Sequence, residues 1–495
     1  MSIKPQYETY RYTGEVCRLH SQSIVECRLP GSEIGSILAV TATAAPMECV
    51  AENGEVRYGG KLLVGVVYED NDRNVCRLER GAEFFHKAEN GNVTPACFAK
   101  VAFNADNVSY RREGSGLYIS VIVGADIHVY GGRQLEYLTG GENVIAKTQA
   151  AEIYRTVCVS GEIEDEDEFD ADYVGDILMH GENVLVTRVN AGAGQIEIEG
   201  ELSVNVCVLK SENNVCSYER LIPITMQIPC DEAFGDVMAS ASVKVKAASI
   251  QAGVDEEKGK SKLVLSYTLA ADCFLHAKEE IFTAIDAFST QAKLTLKKEK
   301  EGGRYLTKTL KCIERVSGIC SLSPALESDY TLAAAILPRA EIVCKRAENG
   351  VEAEGVLQAE VLLKGADGGY KTSSLSLPFM FPVDVAGAEV EADAIVCGLN
   401  VRRKKSGETE AEATLKICLR AYENAEWTYI REIEEGEAYE EKDAAISLFA
   451  LHAGEEVWDV AKRLAYDPDE LVKNNPGLEF PVKEGGNILV YRQIK

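Results

Sequence analysis

From Gly60 the chain reads GKLLVGVVYEDNDRNVCRLER, and the residues two, four, six and eight places after the glycine are apolar: Leu62, Val64, Val66 and Tyr68. Alternation with a period of two, rich in β-branched side chains, predicts a strand with one buried face. The pattern recurs without gaps from Gly200 (Leu202, Val204, Val206, Val208) and from Gly355 (Leu357, Ala359, Val361, Leu363), with mixed residues such as Ser203, Asn205, Gln358 and Glu360 between. A polar turn follows at the same offset in each copy: EDNDRN, KSENN and KGADGG. Asn, Asp and Gly suit such turns because they tolerate positive φ. The first two copies then share NVC (Asn74–Cys76, Asn214–Cys216) and an ER pair (Glu79–Arg80, Glu219–Arg220). Copies one and three carry AENG ahead of the strand, and the second has NAGAG.

Each copy closes with a second β-rich stretch further on: LYISVIVGADIHVYG, KLVLSYTLAADCFLHA and AEATLKICLRAYEN. The anchor glycines lie 140 and then 155 residues apart, which sets the size of the unit. The expected division is three tandem β-rich repeat domains at 1–150, 151–303 and 304–440. The lysine-rich LTLKKEKEGGR (294–304) and the acidic REIEEGEAYEEKD (431–443) read as linkers between them.

The pattern changes at the end of the chain. AISLFAL (445–451) alternates as a strand, and in GEEVWDVAKRLA the residues Val457, Val460, Ala461 and Leu464 fall on one face of an amphipathic helix. Asp467-Pro468-Asp469-Glu470 has the chemistry of a helix start, with a capping Asp, Pro in the first turn and Glu placed to reach back. That second helix stops at the Asn-Pro-Gly of 475–477, and NILVY (487–491) reads as a closing strand. The result is a compact α+β (βααβ) unit at 446–495, with Trp458 expected as core packing between its helix and sheet.

The 495 residues are 46% hydrophobic and 26% charged, the balance of a globular multidomain protein. A formal charge of −27 argues against nucleic acid or an anionic membrane surface as the main partner. MSIKPQYETYRYTGEVC at the start predicts no secretory leader, and no apolar run is long enough for membrane insertion. Fifteen cysteines, scattered singly and with no C-x-x-C, read as reduced thiols buried in a cytoplasmic protein.

Candidate chemistry in the repeats dissolves on inspection. KGADGGYKT (364–372) has Tyr370 where a phosphate loop needs Gly-Lys, so it reads as a hairpin turn. GEIEDEDEFDAD (161–172) lacks the spacing and central Gly of a calcium loop and reads as a solvated acidic loop. His20, His86, His128, His180, His276 and His452 are dispersed, with no Cys, Ser or His at motif spacing. The basic YRREGSG (Arg111, Arg112) and VRRKKSG (Arg402, Arg403, Lys404, Lys405) precede equivalent strands and read as hairpin solvation, with contact to an acidic partner or a neighbouring copy as the other reading. The expectation is a chain that is not an enzyme and carries no catalytic residue, no metal and no cofactor.

Residues 446–495 resemble a LysM domain. The match rests on Gly454, Glu455, Val457 and Trp458 at the helix start, the Ala-Lys-Arg of that helix, Leu471, the Asn-Asn-Pro-Gly-Leu of 474–478 and the Gly-Gly-x-Ile-Leu-Val finish. The resemblance implies binding of N-acetylglucosamine glycans in a groove formed here by Gly454, Glu455, Glu456, Val457, Asn475, Pro476, Gly477 and Leu478. Glu455-Glu456 replaces the usual Asp-Thr, Gly486 the usual Gln and Tyr491 the usual final Pro, which removes a hydroxyl a sugar could use and adds a hydrated charge. The whole chain also resembles the architecture of tandem SPOCS (spore coat-associated) domains followed by one LysM. That resemblance implies a non-catalytic morphogenetic scaffold of the spore coat, made in the mother-cell cytoplasm, whose LysM docks on the coat-base ATPase or another coat protein at the forespore surface. The alternative is a peptidoglycan-binding protein with the β-domains as spacer.

Overall fold

The computed structural model describes residues 3–31, 34–114, 116–172, 174–210, 213–235, 237–255, 260–323, 330–347, 350–385, 389–404, 408–440 and 446–491. The chain is mainly β. Its first six strands are β1 (Lys4–Pro30), β2 (Ile34–Glu52), β3 (Glu55–Asp70), β4 (Val75–Glu89), β5 (Phe98–Glu113) and β6 (Gly116–Glu142). They form two antiparallel three-stranded sheets, ordered β1-β6-β5 and β2-β3-β4. Leu62, Val64 and Val66 of β3 share one buried cluster with Ile119, Val121, Val123 and Ile127 of β6, so the two sheets pack as a sandwich. The alternation along β3 thus becomes an inward row and an outward row.

The same order follows with β7 (Ile145–Ala171), β8 (Asp176–Gly192), β9 (Gln195–Lys210), β10 (Asn214–Pro229), β11 (Val237–Asp255) and β12 (Lys260–Phe288), in sheets β7-β12-β11 and β8-β9-β10. The third sandwich uses β13 (Ala292–Ile319), β15 (Tyr330–Ala347), β16 (Gly350–Gly365), β17 (Tyr370–Val383), β18 (Glu389–Arg403) and β19 (Thr409–Ala438). Its sheets are β13-β19-β18 and β15-β16-β17, the latter extended by the short β14 (Ser321–Ser323) at the β17 edge. Leu202, Val204 and Val206, like Leu357 and Val361, are fully buried in their sandwiches.

The hairpin turns carry the sandwiches onto one another. Arg73 and Asn213 take positive φ at the β3–β4 and β9–β10 turns. The Arg73 guanidinium donates to the Asp367 carbonyl (2.9 Å) and carboxylate (3.0 Å) in the β16–β17 turn, and the Asn213 amide donates to the Arg73 carbonyl at 2.7 Å. The Tyr370 hydroxyl donates to the Asn213 carbonyl (2.9 Å) and accepts the Val215 N–H (3.0 Å). Beneath these bonds, Val67, Cys207 and Leu362 meet in one buried cluster with Val75, Val215 and Tyr370. Each triplet takes corresponding positions from the three sandwiches. At the opposite pole the ends of the long strands meet, with Leu138, Ala284 and Ile430 buried together beside a second cluster around Tyr137, Ile281 and Tyr429. The three sandwiches are therefore joined at both ends.

Several expectations need correction. The acidic 161–172 stretch is not a loop: it completes β7 and pairs residue by residue with β12. Its charges are answered within the sheet by Lys246 on Glu162 (2.7 Å) and by Lys262 on Glu168, and from β10 of the other sheet by Arg220 on Asp167 (2.9 Å). Residues 294–304 belong to β13, and 431–438 to β19, rather than to linkers; 441–443 lie outside the described residues. Charge alternating along these strands sits on solvent-facing edges, which a composition reading takes for a linker. KGADGGYKT is the β16–β17 hairpin, as expected. Arg111 lies over the Tyr118 ring at 4.4 Å, Lys404 pairs with Glu410 at 3.2 Å, and Lys405 is outside the described residues. All fifteen cysteines are free thiols, six buried and the rest partly so; burial pushes Cys207 and Cys273 up to about 12. Among the described residues no helix is long and apolar enough to cross a membrane.

His276 on β12 is the one histidine placed to affect stability strongly. Burial, and then the positive charge of Arg304, push it down to about 4, and Ser240 lies 3.4 Å from its Nε2. The unfolded chain protonates such a ring near pH 6.5, whereas the folded chain keeps it neutral until about pH 4. The unfolded state therefore binds the extra proton between those values, and stability falls with pH through that window. The expected loss is about 2 kcal/mol from pH 7 to pH 5. Urea unfolding of the wild type and His276→Gln at both pH values reads it as a difference, because the carboxylates common to both cancel; equal pH slopes would refute it.

Candidate docking site in the terminal cassette

After β19 the chain forms β20 (Ile446–Leu451), α1 (Val457–Leu464), α2 (Pro468–Asn474) and β21 (Gly486–Tyr491), with β20 and β21 paired antiparallel. Asp467 caps α2 by accepting the N–H groups of Asp469 (2.9 Å) and Glu470 (3.1 Å), and Pro468 occupies the first turn, where its missing N–H costs nothing. Val460, Ala461 and Leu464 face Leu471, Ile488 and Val490 in a core that also takes in Phe288 of β12, with Ile145 of β7 packed against it. Ala445, where the first strand was expected to begin, lies outside the described residues.

The first candidate loop is held by backbone bonds. Gly454, at φ +89°, donates to the Val482 carbonyl at 2.7 Å, and Val482 donates back to the Glu455 carbonyl at 2.9 Å. The Glu455 carboxylate folds onto its own unit, accepting the His452 N–H (2.8 Å) and the Arg463 guanidinium (3.1 Å). Glu456 caps α1, with its N–H donating to the Asp459 carboxylate at 3.4 Å, and its carboxylate lies 3.5 Å from the Lys147 ammonium of β7. In the second loop, the Asn475 side chain donates to the Leu471 (2.9 Å) and Leu489 (2.8 Å) carbonyls and accepts the Leu489 N–H (2.9 Å). It thus stands in for a neighbouring strand along the edge of β21. Pro476 and Gly477 are exposed, while Leu478 and Val457 pack half-buried against the same core. The arrangement has an apolar floor between two pinned loops, with the Glu455 carboxylate and the Asn475 amide already engaged within the cassette.

No family model matches the chain, and comparison with curated proteins and with solved structures finds no similar protein.

Trp458 packs against the cassette core and reaches beyond it. Its indole N–H donates to Asp286 of β12 at 2.9 Å, and its ring meets Phe288 edge-on, 5.2 Å between centroids. Lys462, one turn on, grips both Asp286 oxygens at 2.6 and 2.7 Å. Burial raises the Asp286 carboxyl, but the Lys462 and Trp458 hydrogen bonds outweigh it and hold the group below its ordinary range. Trp458 is thus half-buried against the cassette core, as expected, and from there also joins the cassette to the second sandwich. Asp286 was not among the expected site residues, and no local motif marks it, because it lies 172 residues before Trp458.

One apolar surface of the cassette stays open. Ile446 and Leu448 of β20 stand opposite Tyr491 and Leu489 of β21, and all four are exposed. Among the described residues there is no cluster of three or more His, Cys, Asp or Glu that could hold a metal ion.

Proposed function

We propose that the protein is a non-catalytic assembly scaffold of the spore coat. On this reading the three sandwiches are SPOCS-like repeats and the terminal α+β unit is a LysM domain used for protein docking. It works in the mother-cell cytoplasm and docks on the coat-base morphogenetic ATPase, or another coat protein, at the forespore surface. The observation that carries this reading is the chemistry of the cassette. Glu455 and Asn475 are occupied within the fold, whereas Ile446, Leu448, Leu489 and Tyr491 form an unshielded apolar face. Exposed apolar surface of this kind is what a protein interface offers, while a sugar site needs free donors and acceptors.

The test compares two properties of the full chain. Deleting 446–495 is expected to abolish forespore localisation of a fluorescent fusion, and calorimetric titration of the intact protein with chito-oligosaccharides of four to six sugars is expected to give no heat. Unchanged localisation would end the docking reading. Saturable heat would move the function to peptidoglycan binding.

A further inference from the structure

The sheet β2-β3-β4 of the first sandwich turns one face inward and leaves the other bare. On that outer face Met47, Val50, Leu63 and Phe85 are 54%, 50%, 40% and 56% exposed. The ladder sets Val50 opposite Arg57 and Phe85 opposite Gly59, with Met47 bulging from β2 next to the Gly59 row, while Leu63, opposite Thr43 and Gly81, lies on the far side of Lys61 on the same face. A β-carbon at Gly59 would come within 2.5 Å of the Phe85 ring, so the ring lies across a strand that has no side chain there. Beside the patch Arg57 and Lys87 both pair with Glu55, at 3.1 Å and 2.9 Å. An apolar centre inside a polar rim is the anatomy of a protein interface.

The chain itself displays what covers such a face. In the second sandwich the corresponding surface of β8-β9-β10 is closed by β18 and β19 of the third. Ser203, at the ladder position of Leu63, is 7% exposed and donates to the Val396 carbonyl at 3.3 Å. Glu201, at the position of Lys61, pairs with Lys416 at 2.7 Å, and Glu219 accepts the Gly398 N–H at 2.6 Å. Leu185 is buried there against Ile395 and Cys418. In the third sandwich the position of Leu63 holds Gln358, which accepts a bond from Arg339 at 2.9 Å. Val343 and Met380, 53% and 64% exposed, also leave that face of the third sandwich open, but they flank Glu354, where the first sandwich has Gly59 with the Phe85 ring across it.

We infer that the Met47–Val50–Leu63–Phe85 face binds a second copy of this chain, receiving the outer sheet of a like sandwich as β8-β9-β10 receives β18-β19. The contact joins unlike surfaces, so successive copies add head to tail, and such a heterologous contact builds open assemblies unless its rotation closes a ring. The inference stands apart from the partner of the cassette, since it concerns a different part of the molecule. Mutual repulsion between copies of charge −27 opposes association at low ionic strength.

Sedimentation velocity of the full chain, at about 0.3 M salt to shorten the range of that repulsion, tests it. The wild type is expected to associate progressively as its concentration rises from low to high micromolar. Leu63→Glu and Phe85→Glu should each weaken association by about tenfold or more, because a charge in a desolvated contact must be paired or hydrated. Both sites are exposed, and an unchanged far-UV circular dichroism spectrum confirms that each variant is folded. Val472→Glu, on the exposed side of α2, should associate as the wild type does. A wild type that stays monomeric throughout would overturn the inference, as would variants that associate normally, or a Val472→Glu effect equal to theirs.

Discussion

Replacing Tyr370 by Ala is expected to destabilise the protein by about 4 kcal/mol, the cost of emptying an aromatic site in a packed core together with orphaning a buried N–H. The ring is 3% exposed where the three hairpin turns meet. Its hydroxyl serves two groups of the second sandwich, the Asn213 carbonyl and the Val215 N–H. Its own N–H reaches Glu69 of the first sandwich at 3.4 Å. The damage therefore falls on the junction between sandwiches more than within any of them. Tyr370→Phe keeps the ring and loses only the hydroxyl, with an expected cost of about 1–2 kcal/mol. Urea unfolding followed by circular dichroism measures both. The Ala variant should unfold earlier and over a broader range, as sandwiches with weakened coupling melt separately. If Ala and Phe variants unfold alike, the ring is not what holds the junction.

The second large effect is expected at Trp458. Truncation to Ala removes the indole from Phe288, the N–H bond to Asp286 and the shielding of the Lys462–Asp286 pair. Loss of a large half-buried aromatic costs about 3 kcal/mol. That cost is local, because Val460, Ala461, Leu464, Leu471 and Ile488 remain packed on one another within the cassette. Hydrogen exchange should therefore accelerate at α1 and at the end of β12, while β9 and β16 keep wild-type protection. Asp286→Asn retains an acceptor for the indole but removes the charge that Lys462 grips, and should give a smaller change in the same segments. Acceleration throughout the sandwiches would mean that the cassette supports the whole fold.

Much of the local structure could be read from residue order alone. The alternation Leu62-Val64-Val66 and its two counterparts marks the buried faces, since side chains in a strand point alternately to opposite sides. Asp467-Pro468 marks a helix start because its capping bonds close within three residues. The same approach failed for 161–172 and 294–304. In both stretches the charged residues have partners on strands far along the chain, such as Lys246 for Glu162 and Glu432 for Lys297. Without those partners, dense charge resembles a hydrated loop. The cassette residues were placed on the correct elements, but their roles were not fully legible: Glu455 and Asn475 turn inward, and Trp458 also reaches another part of the chain.

By itself the sequence determined which positions face a core, where the hairpins turn and where the terminal helices begin, because each of these depends on residues a few places apart. Only the tertiary structure decided the remaining arrangement: β6 placed between β1 and β5, the meeting of three turns around Tyr370, Asp286 beneath Trp458, and one sandwich face closed while its counterpart stays open. Those outcomes depend on which surfaces meet. A period of two says that a face is apolar, and it carries no information about what will cover it.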